Sequence, residues 1–319
     1  MTVVEALPKR VSRIFTSGTR KKIPIFSALF DYRNLIVVYP WIMQLLSRKI
    51  RRFQPTRVVI SSFAIGKNIK IPSTPLHKWG YTKLYLHSPM QYIWSHREEY
   101  LAKFSGWKKK LFSFLVPRLQ RWDKQFTQFD EIHFNSKYTA NLAKEIYGME
   151  GSVRYPKIHD TFYYAGVNVR PQEYFVCVGR LVTFVRECDM IIQAFNALKL
   201  PLLMIGAGPD EAYLKSIAGD TIIFLGWLSP EETQKIVRNA KGLINLTKES
   251  FGIGTAEALL MGVPVIGFAE GATPELVDEQ SGILINKKTV NHLISAVETF
   301  QKSNWERKQI SETIRKKLT

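Results

Sequence analysis

Cysteine is nearly absent from this chain of 319 residues: Cys177 and Cys188 are its only two. There is no Cys-x-x-Cys pair and no Cys/His metal spacing. That excludes a disulfide scaffold and a structural zinc module, and it reads as two reduced thiols of a cytosolic protein. Long apolar runs are missing as well. The best of them, residues 34–46, is too short to span a bilayer and is interrupted by Pro40. It reads as a core-facing helix ending in the basic run Arg48-Lys49-Ile50-Arg51-Arg52, with an interfacial position beside Trp41 as the alternative. The opening residues do not read as a secretory leader, and neither an internal repeat nor a low-complexity tract is legible.

Acidic residues are scarce in one half only. The first 170 residues carry 29 Lys and Arg against 10 Asp and Glu, whereas the rest carry 16 against 17, so the net charge of +18 sits on the first half. A basic domain beside a neutral one implies an anionic partner surface. Because no RNA- or DNA-binding module accompanies the charge, membrane lipid is favoured over nucleic acid, with a merely solvated basic face as the plain alternative. A hydrophobic content of 45% argues against disorder, and the length accommodates two domains with separate cores.

What is present centres on Lys248-Glu249-Ser250-Phe251-Gly252-Ile253-Gly254-Thr255-Ala256-Glu257-Ala258-Leu259, followed by Leu260-Met261-Gly262-Val263-Pro264-Val265. Thr255 reads as the N-cap of a helix over 256–261, Gly262 as its left-handed stop, and 263–268 as a buried parallel strand. A glycine loop feeding a helix N-terminus offers amide donors and a positive dipole end to a phosphate or diphosphate. Glu249 and Glu257 flank that anion site and would repel a phosphate directly. Their useful role is to accept from hydroxyls at the two ends of the ligand, which is the layout of a sugar nucleotide. The bland alternative for Glu257 is an acid in a first helical turn, favoured by the dipole.

Taken together, Glu-x7-Glu around Phe251-Gly252-Ile253, the Glu257-Ala258-Leu259-Leu260-Met261-Gly262-Val263-Pro264 run and the upstream Gly179-Arg180-Leu181-Val182 resemble glycosyltransferase family 4. Tyr85-Leu86-His87-Ser88-Pro89-Met90-Gln91-Tyr92-Ile93-Trp94 is similar to a branch rich in O-antigen-type mannosyltransferases. The resemblance implies an α/β chain of the GT-B fold, two Rossmann-like domains facing across a cleft, and a retaining, metal-independent transferase without a cofactor. It implies a first domain over 1–165, a linker over 159–172, a nucleotide-sugar domain over 172–302, and a helix over 303–319 crossing back to the first domain. Thr2-Val3-Val4-Glu5-Ala6-Leu7 resembles the first helix of that fold, so its opening strand is expected to be missing.

By the same resemblance His87, at a strand end, contacts the transferred sugar, and Arg180 neutralises the departing diphosphate. The family's lysine position is Val185, and its role passes to Arg186 one residue later. Glu249 holds sugar hydroxyls, the amides of Phe251, Gly252, Ile253 and Gly254 hold phosphate, and Glu257 takes the ribose diol. Gly179 ends the first strand of the second domain, Gly208 belongs to a tight turn in Gly206-Ala207-Gly208-Pro209, and Gly226 and Leu228 lie in the loop holding the base. The donor is expected to be a GDP-sugar, mannose first, or a UDP-sugar. The acceptor is a saccharide or lipid-linked hydroxyl, met in the cytoplasm or at the inner face of the plasma membrane. Oligomeric state is left open. Two rivals stand beside this: an inactive sugar-nucleotide or glycan binder assisting a partner, and an NAD-dependent oxidoreductase, for which the Gly206 turn is only half a fingerprint.

Overall fold

A computed structural model describes residues 38–53, 55–63, 65–70, 81–103, 105–164 and 172–319. Two compact units divide the chain: Met1–Asn135 with Thr139–Arg154, and Ser136–Tyr138 with Tyr155–Thr319. The expectation of a missing first strand falls on residues outside those described.

In the first unit, parallel strands β1 (Arg57–Phe63), β2 (Tyr81–Ser88), β3 (Glu131–Phe134) and β4 (Ser152–Val153) pair in that order. Helix α1 (Tyr39–Phe53) precedes them, α2 (Arg97–Lys103) and α3 (Gly106–Asp123) follow β2, and α4 (Lys137–Tyr147) joins β3 to β4. Pro40 does not interrupt α1 but sits at its second residue, where the first-turn amide has no helical acceptor to lose. Strand β2 extends on both sides of its short apolar stretch Leu84-Tyr85-Leu86 because the ladder with β1 continues from Arg57↔Tyr81 to Phe63↔Ser88. Along β2, Thr82, Leu84, Leu86 and Ser88 are buried and the intervening residues are not, the period of two expected of a strand.

A buried polar knot fixes the loop behind β1. Lys67 and Asp123 are fully buried and paired at 3.1 Å. Asn68 Nδ2 and Trp94 Nε1 donate to the Asp123 carboxylate at 2.7 and 2.8 Å, and Tyr147 Oη at 2.5 Å. Burial lowers the Lys67 pKa, and the charge of Asp123 opposes that shift. A pair this deep is tolerated because every partner is hydrogen-bonded.

The second unit is a six-stranded parallel sheet in the order β10-β9-β8-β5-β6-β7. Its strands are β5 (Phe175–Val178), β6 (Leu202–Ile205), β7 (Ile222–Gly226), β8 (Gly242–Asn245), β9 (Val265–Phe268) and β10 (Gly282–Ile285). Between them run α5 (Thr183–Arg186), α6 (Cys188–Leu198), α7 (Glu211–Ile217), α8 (Pro230–Asn239), α9 (Ile253–Leu260) and α10 (Thr273–Leu276), and α11 (Val290–Lys302) and α12 (Arg307–Leu318) close the chain. Alternate strand residues feed two cores: Phe175 and Cys177 pack with Phe195 and Phe300, whereas Val176 packs with Leu259 and Ile310. Strand order reverses between β5 and β8, which makes their carboxyl ends the topological switch point where ligands of such sheets bind.

Two boundaries differ from the sequence expectation. The second unit starts at Tyr155, ahead of the linker expected over 159–172, because Tyr155, Ile158, Phe162 and Tyr163 pack into its core. The terminal helix, expected to return to the first domain, is bound to the second unit. Buried Arg307 donates to the carbonyls of Gly262, Arg238 and Ala240, and Ser311 Oγ to that of Leu260. Those carbonyls end α8 and α9, so one guanidinium satisfies acceptors that helix geometry leaves open.

Candidate functional site

A pocket of about 310 Å³ opens at the switch point of the second unit. Val178 from the end of β5 and Leu243 and Asn245 from β8 line it, with Val237 of α8 and Gly254, Glu257 and Met261 of α9 and its C-cap. Trp227, Leu228 and Phe162 complete an apolar wall. A mostly apolar cleft with a few aimed polar groups is the usual form of a small-molecule site.

Helix α9 begins three residues earlier than its sequence predicts. Gly252 adopts φ 91° and is the N-cap, its carbonyl taking the Ala256 amide at 2.9 Å, so Ile253 and Gly254 already form the first turn. Thr255 is therefore not the cap; its buried hydroxyl accepts from Asn245 Nδ2 at 3.0 Å. No side chain caps this helix, so its first-turn amides are left to other acceptors. Phe251 is buried, its ring 5.8 Å from that of Tyr155, which anchors the loop. Gly262 stops the helix at φ 75°, as expected, and the strand behind it is buried throughout. Glu249 is half-buried, held by its backbone: its carbonyl accepts from Ala272 N at 2.9 Å, and it bridges Gly271.

Glu257 stands in the second turn of α9, not the first, and faces the pocket. Burial pushes its carboxyl up to about 7. In the window between the ordinary 4.5 and about 7 the folded chain keeps a proton that the unfolded chain has released. Stability from this group is therefore complete below the lower value and is lost as pH rises through the upper one. Glu257→Gln is expected to be neutral near about pH 4.5 and to raise the unfolding temperature relative to the parent near about pH 8. Thermal unfolding at the two pH values checks this, and a difference that does not grow with pH would contradict it.

The loop after β5 adjoins the pocket. Gly179 has φ 143°, and a Cβ there would lie 2.2 Å from the Arg186 guanidinium. Arg186 donates from Nη1 to the Val178 carbonyl at 3.1 Å, so this cation is placed against the carboxyl end of β5. Arg180 is exposed on the same loop. Gly208 is explained by close packing: its Cβ would meet the Leu181 carbonyl oxygen at 1.9 Å. Leu181 N donates to Ala207 O at 3.1 Å, and the Asp210 carboxylate takes the amide and hydroxyl of Thr183 at 2.8 and 3.0 Å. Gly226, at φ 70°, accepts from Gly206 N at 2.7 Å and turns the chain into Trp227 and Leu228.

Of the nominated residues, Leu228, Gly254 and Glu257 thus line one pocket, while Gly179 and Arg186 sit on the strand end that contributes Val178. His87 belongs to the first unit. Its Nε2 is 2.7 Å from Ser61 Oγ, its ring is edge-on to Tyr85 at 4.9 Å, and burial lowers its pKa, which leaves the imidazole neutral at neutral pH. Among the described residues no three His, Cys, Asp or Glu side chains gather as a metal site requires. Asn245, which the sequence reading did not nominate, lines the pocket and donates to Thr255 Oγ1, and its place at a strand end beside the switch point is a usable signal. Phe162 and Asp210 carried none, because their roles depend on distant segments.

The fold is an α/β architecture of two parallel sheets, and it matches glycosyltransferases of the GT-B class. Sucrose-phosphate synthase from Thermosynechococcus elongatus superposes with a TM-score of 0.68 at 14% identity, covering 95% of this chain and 77% of that one. Anabaena Alr3699/HepE, solved with UDP and glucose, gives 0.55 at 15% identity over 75% and 68%. Residues 172–302 match the family model described as glycosyl transferases group 1. An uncharacterized 41.2 kDa protein in the cps region of Klebsiella pneumoniae is 26% identical over 121 residues, and the match spans 37% of this chain and 34% of that protein.

Proposed function

We propose that this chain is a glycosyltransferase that moves a sugar from a nucleoside diphosphate sugar to a hydroxyl of a saccharide or lipid-linked acceptor. The observation that carries the reading is the pocket at the β5/β8 switch point, with a carboxylate inside it and an uncapped helix N-terminus at its edge. The match of residues 172–302 to glycosyl transferases group 1 supports the same chemistry.

In this reading the base lies against Trp227 and Leu228, and the ribose diol donates to Glu257. The diphosphate accepts from the amides at the start of α9, and Arg180 and Arg186 offset the charge that develops as it leaves, each contributing a few kcal/mol as positioned donors do. Glu249 accepts from hydroxyls of the transferred sugar. Retention of anomeric configuration and independence of a divalent metal follow from likeness to family 4. Alr3699/HepE, solved with UDP-glucose, brings a UDP-sugar forward beside the GDP-mannose expected from the sequence. The cps-region relative supports a place in polysaccharide synthesis.

A thermal-shift screen of GDP, UDP, GDP-mannose, UDP-glucose and NAD tests the reading, followed by transfer from whichever donor binds. A ligand at 100 times its dissociation constant stabilises by about 2.7 kcal/mol. One nucleotide sugar is expected to do so and to be turned over with an acceptor. Stabilisation by NAD alone, or by none of these ligands, would overturn the proposal.

A further inference from the structure

Two helices of the first unit present the same outward design. On α3, Trp107, Leu111 and Phe114 are 69%, 46% and 59% exposed. Their spacing of four and three residues makes them one stripe along the helix. Arg118 continues that stripe with its guanidinium 3.7 Å over the Phe114 ring, and exposed Lys110 and Arg121 flank it. On α1, Trp41 and Leu45 are 62% and 41% exposed, and exposed Arg48 and Arg52 follow on the same face. The inner faces of both helices meet in a single core cluster, Tyr39 of α1 with Val116 and Leu119 of α3. Each stripe opens on a tryptophan, continues with apolar side chains and ends in arginine.

We infer that the outer faces of α1 and α3 dock on an anionic lipid bilayer. Water alone would disfavour three large apolar side chains in a row, whereas the boundary between headgroups and acyl chains accepts them and leaves the guanidinium groups at phosphate level. The first 170 residues carry 29 basic against 10 acidic residues, so the long-range attraction has the sign an anionic leaflet requires. A nucleic acid would use the same charge but would gain little from Leu111. Among the described residues no helix is long and apolar enough to cross a membrane. The membrane-associated acceptor proposed above would be met at this surface, and the test below uses no transfer step, so either reading can fail alone.

The full chain is sedimented with phosphatidylcholine vesicles and with vesicles containing about 30% phosphatidylglycerol, at low and high salt. Binding is expected only to the anionic vesicles and to fall with salt. A Trp107→Ser/Leu111→Ser/Phe114→Ser variant is expected to lose at least about tenfold in vesicle affinity, mostly the part that survives high salt, and Lys110→Gln/Arg118→Gln/Arg121→Gln mostly the part that salt removes. Nucleotide stabilisation and circular dichroism should be unchanged in both; if the triple apolar variant misfolds, Leu111→Ser alone is read instead. Equal binding to neutral vesicles, or variants that bind as the parent does, would overturn the inference. So would single-stranded RNA that displaces the vesicles while the apolar variant keeps its full affinity for both, since the surface would then be a nucleic-acid one.

Discussion

Gly208→Ala is expected to cost nucleotide affinity at least about tenfold, far more than one methyl group removes by its own bulk. The added Cβ would lie 1.9 Å from the Leu181 carbonyl oxygen and 2.5 and 2.7 Å from the carbonyl carbon and amide nitrogen of that residue. All three are backbone atoms, so no side chain can swing aside. The segment that must move carries Arg180 and follows the strand end that lines the pocket, and it is pinned by Leu181 N to Ala207 O and by Thr183 to Asp210. Overpacking of this kind costs about 1–3 kcal/mol of stability. The matched control is Gly254→Ala, where a Cβ would meet nothing within 4 Å and the fold should be untouched. Because Gly254 lines the pocket, that variant is expected to keep its stability and weaken binding by obstructing ligand approach. Denaturant unfolding and calorimetry with the active nucleotide separate the two. A Gly208→Ala chain with parental stability and affinity would show that the loop has more room than its packing implies.

Arg180→Ala and Glu249→Ala are both expected to abolish transfer, for different reasons. Arg180 is exposed and carries no hydrogen bond or ion pair to another described residue, so its loss should leave stability alone. What it should remove is a charge-assisted contact to diphosphate, about 2 kcal/mol or some thirtyfold in Kd for the plain nucleotide. Glu249 is placed on the loop by its backbone rather than its carboxylate, so truncation keeps the loop in place. Plain GDP or UDP should then bind almost as before, while the preference for the sugar-bearing donor disappears. Calorimetry of both variants with nucleotide and nucleotide sugar decides the matter. Equal loss of plain nucleotide affinity in the two would reassign Glu249 to the phosphate end of the site.

Much of the second unit was legible before folding. Parallel strands over 174–178, 201–205, 221–225, 242–246 and 263–268 stand out as short apolar runs, and glycine follows the first three; both faces of the interior strands are covered, whereas the edge strand β7 leaves Ile223 53% exposed. The left-handed stop at Gly262 was readable for the same local reason: the φ of 75° there is one that other residues rarely adopt. The start of α9 was misread because Thr255 has the chemistry of a cap, yet Asn245, ten residues upstream, takes its hydroxyl, and Gly252 makes the turn instead. His87 was found at a strand end, and its Ser61 partner was not, since that pairing comes from the register of β1 against β2.

Chemistry carried by local pattern was therefore determined by the sequence alone: the glycine loop, the two glutamates, the arginines after β5 and the excess of positive charge in the first half. The strand order was decided only in three dimensions. Placing β8 beside β5 creates the switch point and brings Val178, Asn245 and Glu257 to one pocket. Burial there raises the Glu257 pKa to about 7, a property that no run of neighbours in the chain encodes. The same holds for Arg307, whose three carbonyl partners lie 45 to 69 residues away and end two different helices. Periodicity reports which face of a segment is apolar, whereas the partner of that face is set by the packing of segments far apart in sequence.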